Sequence, residues 1–403
     1  MLRCLVRGCG RSSAWRSHGQ IKRSLTGSLN ILQRCVASSP HSTLGCTVQL
    51  FLPLGSYIYT PIRLSTMSRE DDPRLGQILI TRSDFEAQKH RPERCVALIQ
   101  VPCDEGVARN GGRVGAAEGP KVTMDLLHRF GCLHNRERNI DLAAAGVQLV
   151  DYGTTSGKNL ELVHTELRGL VLSSLQSGLI PICLGGGNDQ SWANGAGWLD
   201  YWQAKQPGQK LSNKFCVINV DAHLDVRPLL KSEGSEGLAH SGSPFRQLVE
   251  YAKDKFNLHL IEYASQGQQC SSAHVDYVNT NNGEIVWLSD IKRRASRTAT
   301  DSLPVDQQFS GMLRACQMDG CRVFFSFDLD SIRAADCPGV SCPSPVGLTS
   351  EEAIEMCYVA GQSPIVDLMD ISEFNPRVES SQTSRLVANM VYSFVLGYSQ
   401  RVR

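Results

Sequence analysis

The first 69 residues of this 403-residue chain contain neither Asp nor Glu, yet they carry Arg3, Arg7, Arg11, Arg16, Lys22, Arg23 and Arg34 among many serines. A basic, acid-free leader of this kind reads as a mitochondrial transit peptide. Met67, which opens MSREDDPRLGQ, gives the rival reading, in which residues 1–66 are an extension and the protein is cytoplasmic. No uninterrupted apolar run reaches the roughly 18 residues that a membrane-spanning helix needs, so no membrane partner is expected. Beyond residue 70 there is no dense basic block, and the formal net charge is only +1; a nucleic-acid partner is therefore not expected either. Fifteen cysteines are present without a single CxxC pair, which removes zinc-finger spacings. Several, such as Cys95, Cys183 and Cys216, lie inside apolar runs and read as reduced core residues. Cys337 and Cys342 bracket one loop and Cys103 lies near another, which leaves a reversible thiol pair open.

From residue 94 onward, short β-rich runs alternate with longer amphipathic segments, the rhythm of βα units around a parallel sheet. CVALIQVP, VQLVDYG, LIPICLGG, KFCVINVDAH, LHLIEYA, EIVWLSD, CRVFFSFDLD and PIVDLMDIS read as eight strands. MDLLHRF, ELVHTELRGLVLSSLQ, EEAIEMCYVAG and SRLVANMVYSFVLGY show helical spacing. The expected fold is a single doubly wound α/β domain over 94–403, with a mainly parallel eight-stranded sheet flanked by helices and residues 67–93 as a linker.

Four stretches carry chemistry: GGGND at 185–189, DAHLD at 221–225, SFDLDS at 326–331 and LMDISEFNP at 368–376. Each ends or directly follows an expected strand, at the sheet edge where α/β folds bind ligands. Read as extended chain, DAHLD puts Asp221, His223 and Asp225 on one side, and SFDLDS does the same for Asp328 and Asp330. Several carboxylates and one imidazole on a shared face are costly without a cation. Such a set suits a hard divalent ion such as Mn2+ better than structural zinc, with ligands enough for two ions.

These motifs resemble the metal-binding signature of the arginase, agmatinase and formiminoglutamase family over residues 95–398. The resemblance implies an arginase-like fold, two Mn2+ ions, and a homo-oligomer, trimer or hexamer. It implies Asp221 and Asp328 as bridging ligands, Asn188 with Asp225 at the first ion, and His223 with Asp330 at the second. Glu373 would face the cationic head of a small amidine or guanidino substrate. CDEGVARNGGRVGAAEGP, DVRP, SGSPFR, DCPGVSCPSP and NPR resemble formiminoglutamases most, which implies hydrolysis of N-formimino-L-glutamate to L-glutamate and formamide. Arg109, Asn110, Arg113 and Arg227 would then bind the substrate carboxylates, Asp225 would pass a proton to the departing amine, and His240 would shuttle protons. Asn188 departs from the pattern, because the family has histidine there. The departure leaves three readings: an active binuclear enzyme, an enzyme with one firm and one labile ion, and a silent scaffold or regulatory subunit; a hydrolase of another guanidino substrate such as agmatine is a separate alternative.

Overall fold

In the computed structural model, the structure describes residues 71–205, 214–231, 237–296 and 302–402. The amino-terminal segment 1–66 lies outside the described residues. The chain begins its sheet with β1 (Leu79–Thr81), α1 (Arg82–Ala87), β2 (Arg94–Val101), α2 (Glu105–Arg109) and α3 (Gly119–Leu127). A small hairpin, β3 (His134–Asn135) and β4 (Ile140–Asp141), leads to β5 (Val147–Thr154), α4 (Leu160–Gln176), β6 (Ile180–Gly185) and α5 (Gln190–Lys205). Then come β7 (Lys214–Val220), α6 (Pro244–Ala252), β8 (Asn257–Ser265), α7 (Ser272–Thr280), β9 (Gly283–Trp287) and α8 (Leu288–Ala295). The last third supplies α9 (Val305–Met318), β10 (Cys321–Asp328), α10 (Ser350–Gln362), β11 (Val366–Ser372) and α11 (Ser381–Ser399).

Nine strands form one sheet in the order β1-β5-β2-β6-β11-β10-β7-β8-β9, and every pairing is parallel. The eight expected strands are all present. The ninth, β1, lies in the segment expected to be a linker, where Leu79, Ile80 and Thr81 pair with Leu149, Val150 and Asp151 of β5. Three residues are too few to show a β period in sequence. The expected MDLLHRF helix starts earlier, at Gly119, with a proline in its first turn, and the LSD of EIVWLSD opens α8 rather than ending a strand.

Helices cover both faces, so strand residues of both parities are apolar. Val323, Phe325 and Phe327 of β10 enter one core with α10 and α11 residues such as Met356 and Phe394. Phe324, between them in sequence, enters the other core with Trp198 of α5 and Phe215 of β7. Trp198 is fully buried and meets Phe215 edge-on at 5.3 Å, while its indole N–H donates to Asp367 Oδ2 at 3.0 Å. Arg322 neutralises the same carboxylate. Local signals agree with these elements: Asn159 caps α4 through Leu162 N–H, and Thr349 with Glu352 forms a capping box on α10.

The four motif-bearing strands β6, β11, β10 and β7 are adjacent at the centre of the sheet. Between β6 and β7 the chain skips the two positions that β11 and β10 later fill. That gap in strand order is a topological switch point, and it brings four motifs distant in sequence to one edge. Among the described residues, no helix is long and apolar enough to cross a membrane, and all eleven cysteines are free thiols.

Candidate metal centre and active site

Asp221, His223 and Asp225 form one group, and Asp221, Asp328 and Asp330 a second; within each, the ligand atoms lie within 4.8 Å of one another. Asp221 belongs to both. The way they converge differs from the expected strand alternation, because β7 stops at Val220 and β10 at Asp328. Each motif instead folds back on its first aspartate: Asp221 Oδ1 accepts the His223 N–H at 2.7 Å, and Asp328 Oδ1 accepts the Asp330 N–H at 2.9 Å. These side-chain turns replace the next backbone hydrogen bond of the ladder. Asp225 then takes φ 43° and Glu373 φ 69°, left-handed conformations that are uncommon outside glycine.

The electrostatics are those of a cluster short of positive charge. Burial, then the charge of Asp221, pushes the Asp225 carboxyl well above the ordinary range. Burial followed by Asp330 and Asp221 does the same to Asp328. Asp330 is also raised by burial, and its Oδ1 is buried with no hydrogen-bond partner. Asp221 alone is lowered; burial opposes this, but the hydrogen bond and charge of His223 and the Asn219 amide outweigh it. His223 Nδ1 lies 3.1 Å from Asp330 and 3.3 Å from Asp221, and chiefly the Asp330 charge holds the imidazole protonated far above its usual range. One imidazolium against four acids leaves the cluster under-neutralised. Oxygen donors in excess, one imidazole and an orphaned buried oxygen fit hard divalent cations, with Asp221 common to both groups.

Asn188 lies at this cluster, fully buried, but its amide faces it with nitrogen. Nδ2 donates to Asp225 Oδ2 at 2.8 Å and points at Asp221 Oδ2 at 3.4 Å. Its oxygen accepts from Ser372 at 2.9 Å and Ser191 at 3.1 Å. The expected oxygen ligand is therefore turned away, because acceptors lie on one side of the amide and hydroxyl donors on the other. Asp189 diverges from the site to His164 Nε2 at 3.1 Å. The glycines before it permit close approach: a Cβ on Gly186 would sit 1.8 Å from the Cys103 carbonyl oxygen.

Glu373 lies beside the acids, 4 % exposed. Its Oε1 accepts the Asn188 backbone N–H at 3.1 Å and its Oε2 the Ser341 hydroxyl at 2.6 Å. Burial pushes this carboxyl up to about 7 in spite of both bonds. Arg113 reaches the same loop, donating to the carbonyls of Ser341 at 2.8 Å and Val340 at 3.1 Å. Arg227 is exposed; its Nη1 donates to Asn110 Oδ1 at 3.3 Å, and Asn110 Nδ2 donates to Ser241 at 3.1 Å. Arg113, Asn110 and Arg227 thus line loops around the acidic cluster.

Two expected roles are not supported by the geometry. Arg109 is paired with Glu105 and Glu161, each at 2.6 Å, and donates to the Ala239 carbonyl at 3.0 Å; its guanidinium is committed to holding α2 in place rather than to a ligand. His240 is 1 % exposed, with Nδ1 accepting the Gly242 N–H and Nε2 against the Pro228 carbonyl, both at 3.2 Å. Burial keeps it neutral by lowering its pKa. Both of its ring nitrogens are thus occupied by backbone, and it fastens the loop between Pro228 and Gly242. Conversely, Ser191, Ser372, Ser341 and Asn219 escaped sequence reasoning. Small polar residues give no motif of their own, although Ser372 stood inside LMDISEFNP and Ser341 inside DCPGVSCPSP.

Residues 94–397 match the arginase family. The formimidoylglutamase of Enterobacter sp. (strain 638) is 28% identical over 298 residues, which is 74% of this chain and 84% of that protein. The structure of Trypanosoma cruzi formiminoglutamase with Mn2+ superposes with a TM-score of 0.68 at 38% identity, covering 82% of this chain and 100% of that one. An asparagine-to-histidine variant of that enzyme, also with Mn2+, gives a TM-score of 0.68 at 39% identity over the same shares. The family match spans every strand of the sheet except β1 and includes all four strand ends that carry the acids, and the chain belongs to the arginase family.

Proposed function

We propose that this protein hydrolyses the C–N bond of a linear amidine with two Mn2+ ions, and that its substrate is N-formimino-L-glutamate, giving L-glutamate and formamide. The observation that carries the reading is the convergence of Asp221, His223, Asp225, Asp328 and Asp330 with Glu373 bonded to the neighbouring Asn188 backbone. The names of the relatives, and the Mn2+ in the Trypanosoma cruzi structures, support it. When bound, divalent cations supply the Lewis acidity that makes water a nucleophile near neutral pH.

The protein's own groups do the rest. Ionised Glu373 pairs with the planar amidinium head through charge-assisted hydrogen bonds, with Ser341 and the Asn188 N–H fixing its two oxygens. Asp225, whose Oδ2 accepts the Asn188 amide N–H, would take up the proton released by the attacking water and pass it to the departing amine. Arg113 and Arg227 stand at the loops where the two carboxylates of the glutamyl portion would lie, and a guanidinium fork matches a carboxylate. A silent scaffold rests on Asn188 alone. Against it stand three buried carboxylates and a half-buried fourth, whose mutual repulsion would only burden a fold that binds no cation.

The test is metal analysis of Mn2+-reconstituted protein with product assays on formiminoglutamate, arginine, agmatine and guanidine. Formamide release from formiminoglutamate alone is expected. One ion or none, with no product from any substrate, would end the hydrolase reading.

A further inference from the structure

We propose that a basic cavity between the carboxyl end of α3, the β3–β4 hairpin and α11 is a second ligand site, which binds a small molecule carrying two or more phosphate or carboxylate groups. The cavity measures about 660 Å3, within the roughly 300–1,000 Å3 usual for small-molecule sites. No residue of the acidic cluster lines it, so the inference stands apart from the metal-hydrolase reading. Four arginines, Arg74, Arg129, Arg136 and Arg385, meet there with His134 against one acid, Glu137. A chain whose formal net charge is +1 has no general surplus of cations to gather in one place.

These arginines are also short of partners within the protein. Arg74 is paired with Asp72 at 2.6 Å. Arg129, Arg136 and Arg385 are exposed, and among the described residues none of the three forms an ion pair with a carboxylate. Residues 1–69 hold no Asp or Glu, so that segment supplies no counter-charge either. Like charges gathered without one repel each other, and a bound anion removes the repulsion. A guanidinium is a planar fork that matches two oxygens of a carboxylate or phosphate, so several unpaired forks select a ligand with more than one such group. The walls that carry them are fastened. Leu75 N–H donates to the Gly131 carbonyl and Leu133 N–H to the Pro73 carbonyl, both at 3.0 Å, which fixes Arg74 against the loop after α3. From α11 the Tyr392 hydroxyl donates to the Cys132 carbonyl at 2.7 Å, and the Tyr392 ring meets Phe130 edge-on at 6.3 Å. Gly131 takes φ 70°, and a Cβ there would stand 2.8 Å from the Tyr392 ring, so glycine lets loop and helix close on one another. Phe130 and Tyr392 also line the cavity and give its ligand an apolar surface beside the cations.

Calorimetric titration of the full chain in excess Mn2+, with fructose 1,6-bisphosphate and separately with tricarballylate, tests this. At least one probe should bind. Arg129→Gln and Arg385→Gln should each weaken it about tenfold and the double variant about 100-fold, the scale of one charge-assisted bond apiece. Arg314→Gln removes an equally exposed charge from α9, outside the cavity, and should leave the affinity within about twofold. The tighter probe tells whether phosphate or carboxylate is preferred, and either order upholds the site. Melting and sedimentation of the variants should match the parent, because these side chains have no ion-pair partner to lose. Should Arg385→Gln fail to fold, Arg136→Gln in the hairpin turn takes its place with the same expected loss. Binding of neither probe, or equal weakening by Arg314→Gln, would overturn the proposal. An unaltered affinity in the double variant overturns it too, and if its oligomeric state has changed instead, the face is a contact between subunits.

Discussion

Replacing Glu373 by Gln should make the metal-free protein more stable at alkaline pH while removing its activity. The carboxyl is raised from its ordinary 4.5 to about 7, so ionising it in the native state costs about 3 kcal/mol more than in the unfolded chain. A folded-state pKa above the unfolded one means that the native state holds the proton longer. Stability is then fully present below about 4.5 and is lost as pH rises through about 7. Gln has no such ionisation. It does weaken one of the two bonds from Ser341 and the Asn188 N–H, at about 1 kcal/mol. The expected balance at pH 8 is ~2 kcal/mol in favour of the variant, or roughly 4 °C in melting temperature for a domain of this size. Near pH 5 the balance should vanish or reverse. Thermal unfolding in chelator at both pH values measures this. A variant less stable than the parent at pH 8, or a difference that ignores pH, would refute the placement of Glu373 as a buried, costly acid. The same substitution removes charge-assisted bonds to the amidinium, so kcat/KM should fall by about 100-fold or more.

Arg227→Gln should raise KM for a dicarboxylate amidine by about tenfold with kcat nearly unchanged; an unaltered KM would remove Arg227 from the substrate mouth. Arg109→Gln should lower the melting temperature while leaving KM alone, because its partners are Glu105, Glu161 and the Ala239 carbonyl; a change confined to KM would restore it as a ligand-binding residue. For His240→Gln, the shape of the pH-rate profile should be retained, since both ring nitrogens are held by backbone; loss of one limb would reinstate the proton shuttle. Mn2+ at about 100 times its dissociation constant should stabilise the chelated protein by ~2.7 kcal/mol per ion, as followed by melting, and no shift would mean that the acids bind no cation.

The sequence by itself determined the fold class and the identity of the acids. Apolar runs of strand length alternating with helical spacing specify a parallel sheet covered on both faces, and aspartates at strand ends are too costly there to be incidental. What it did not reveal was how they meet. DAHLD and SFDLDS read as strand alternation, but the tertiary structure ends both strands early and turns the chain on Asp221 and Asp328, because a side-chain acceptor there outcompetes the ladder. Strand order, which sequence leaves open, placed four distant motifs side by side. The fates of Asn188, Arg109 and His240 depend on partners far away in sequence: Ser372, Glu161 and the Pro228 carbonyl. Residue type announces what a side chain can do; which of its atoms remains free is set by neighbours that only the folded chain assembles.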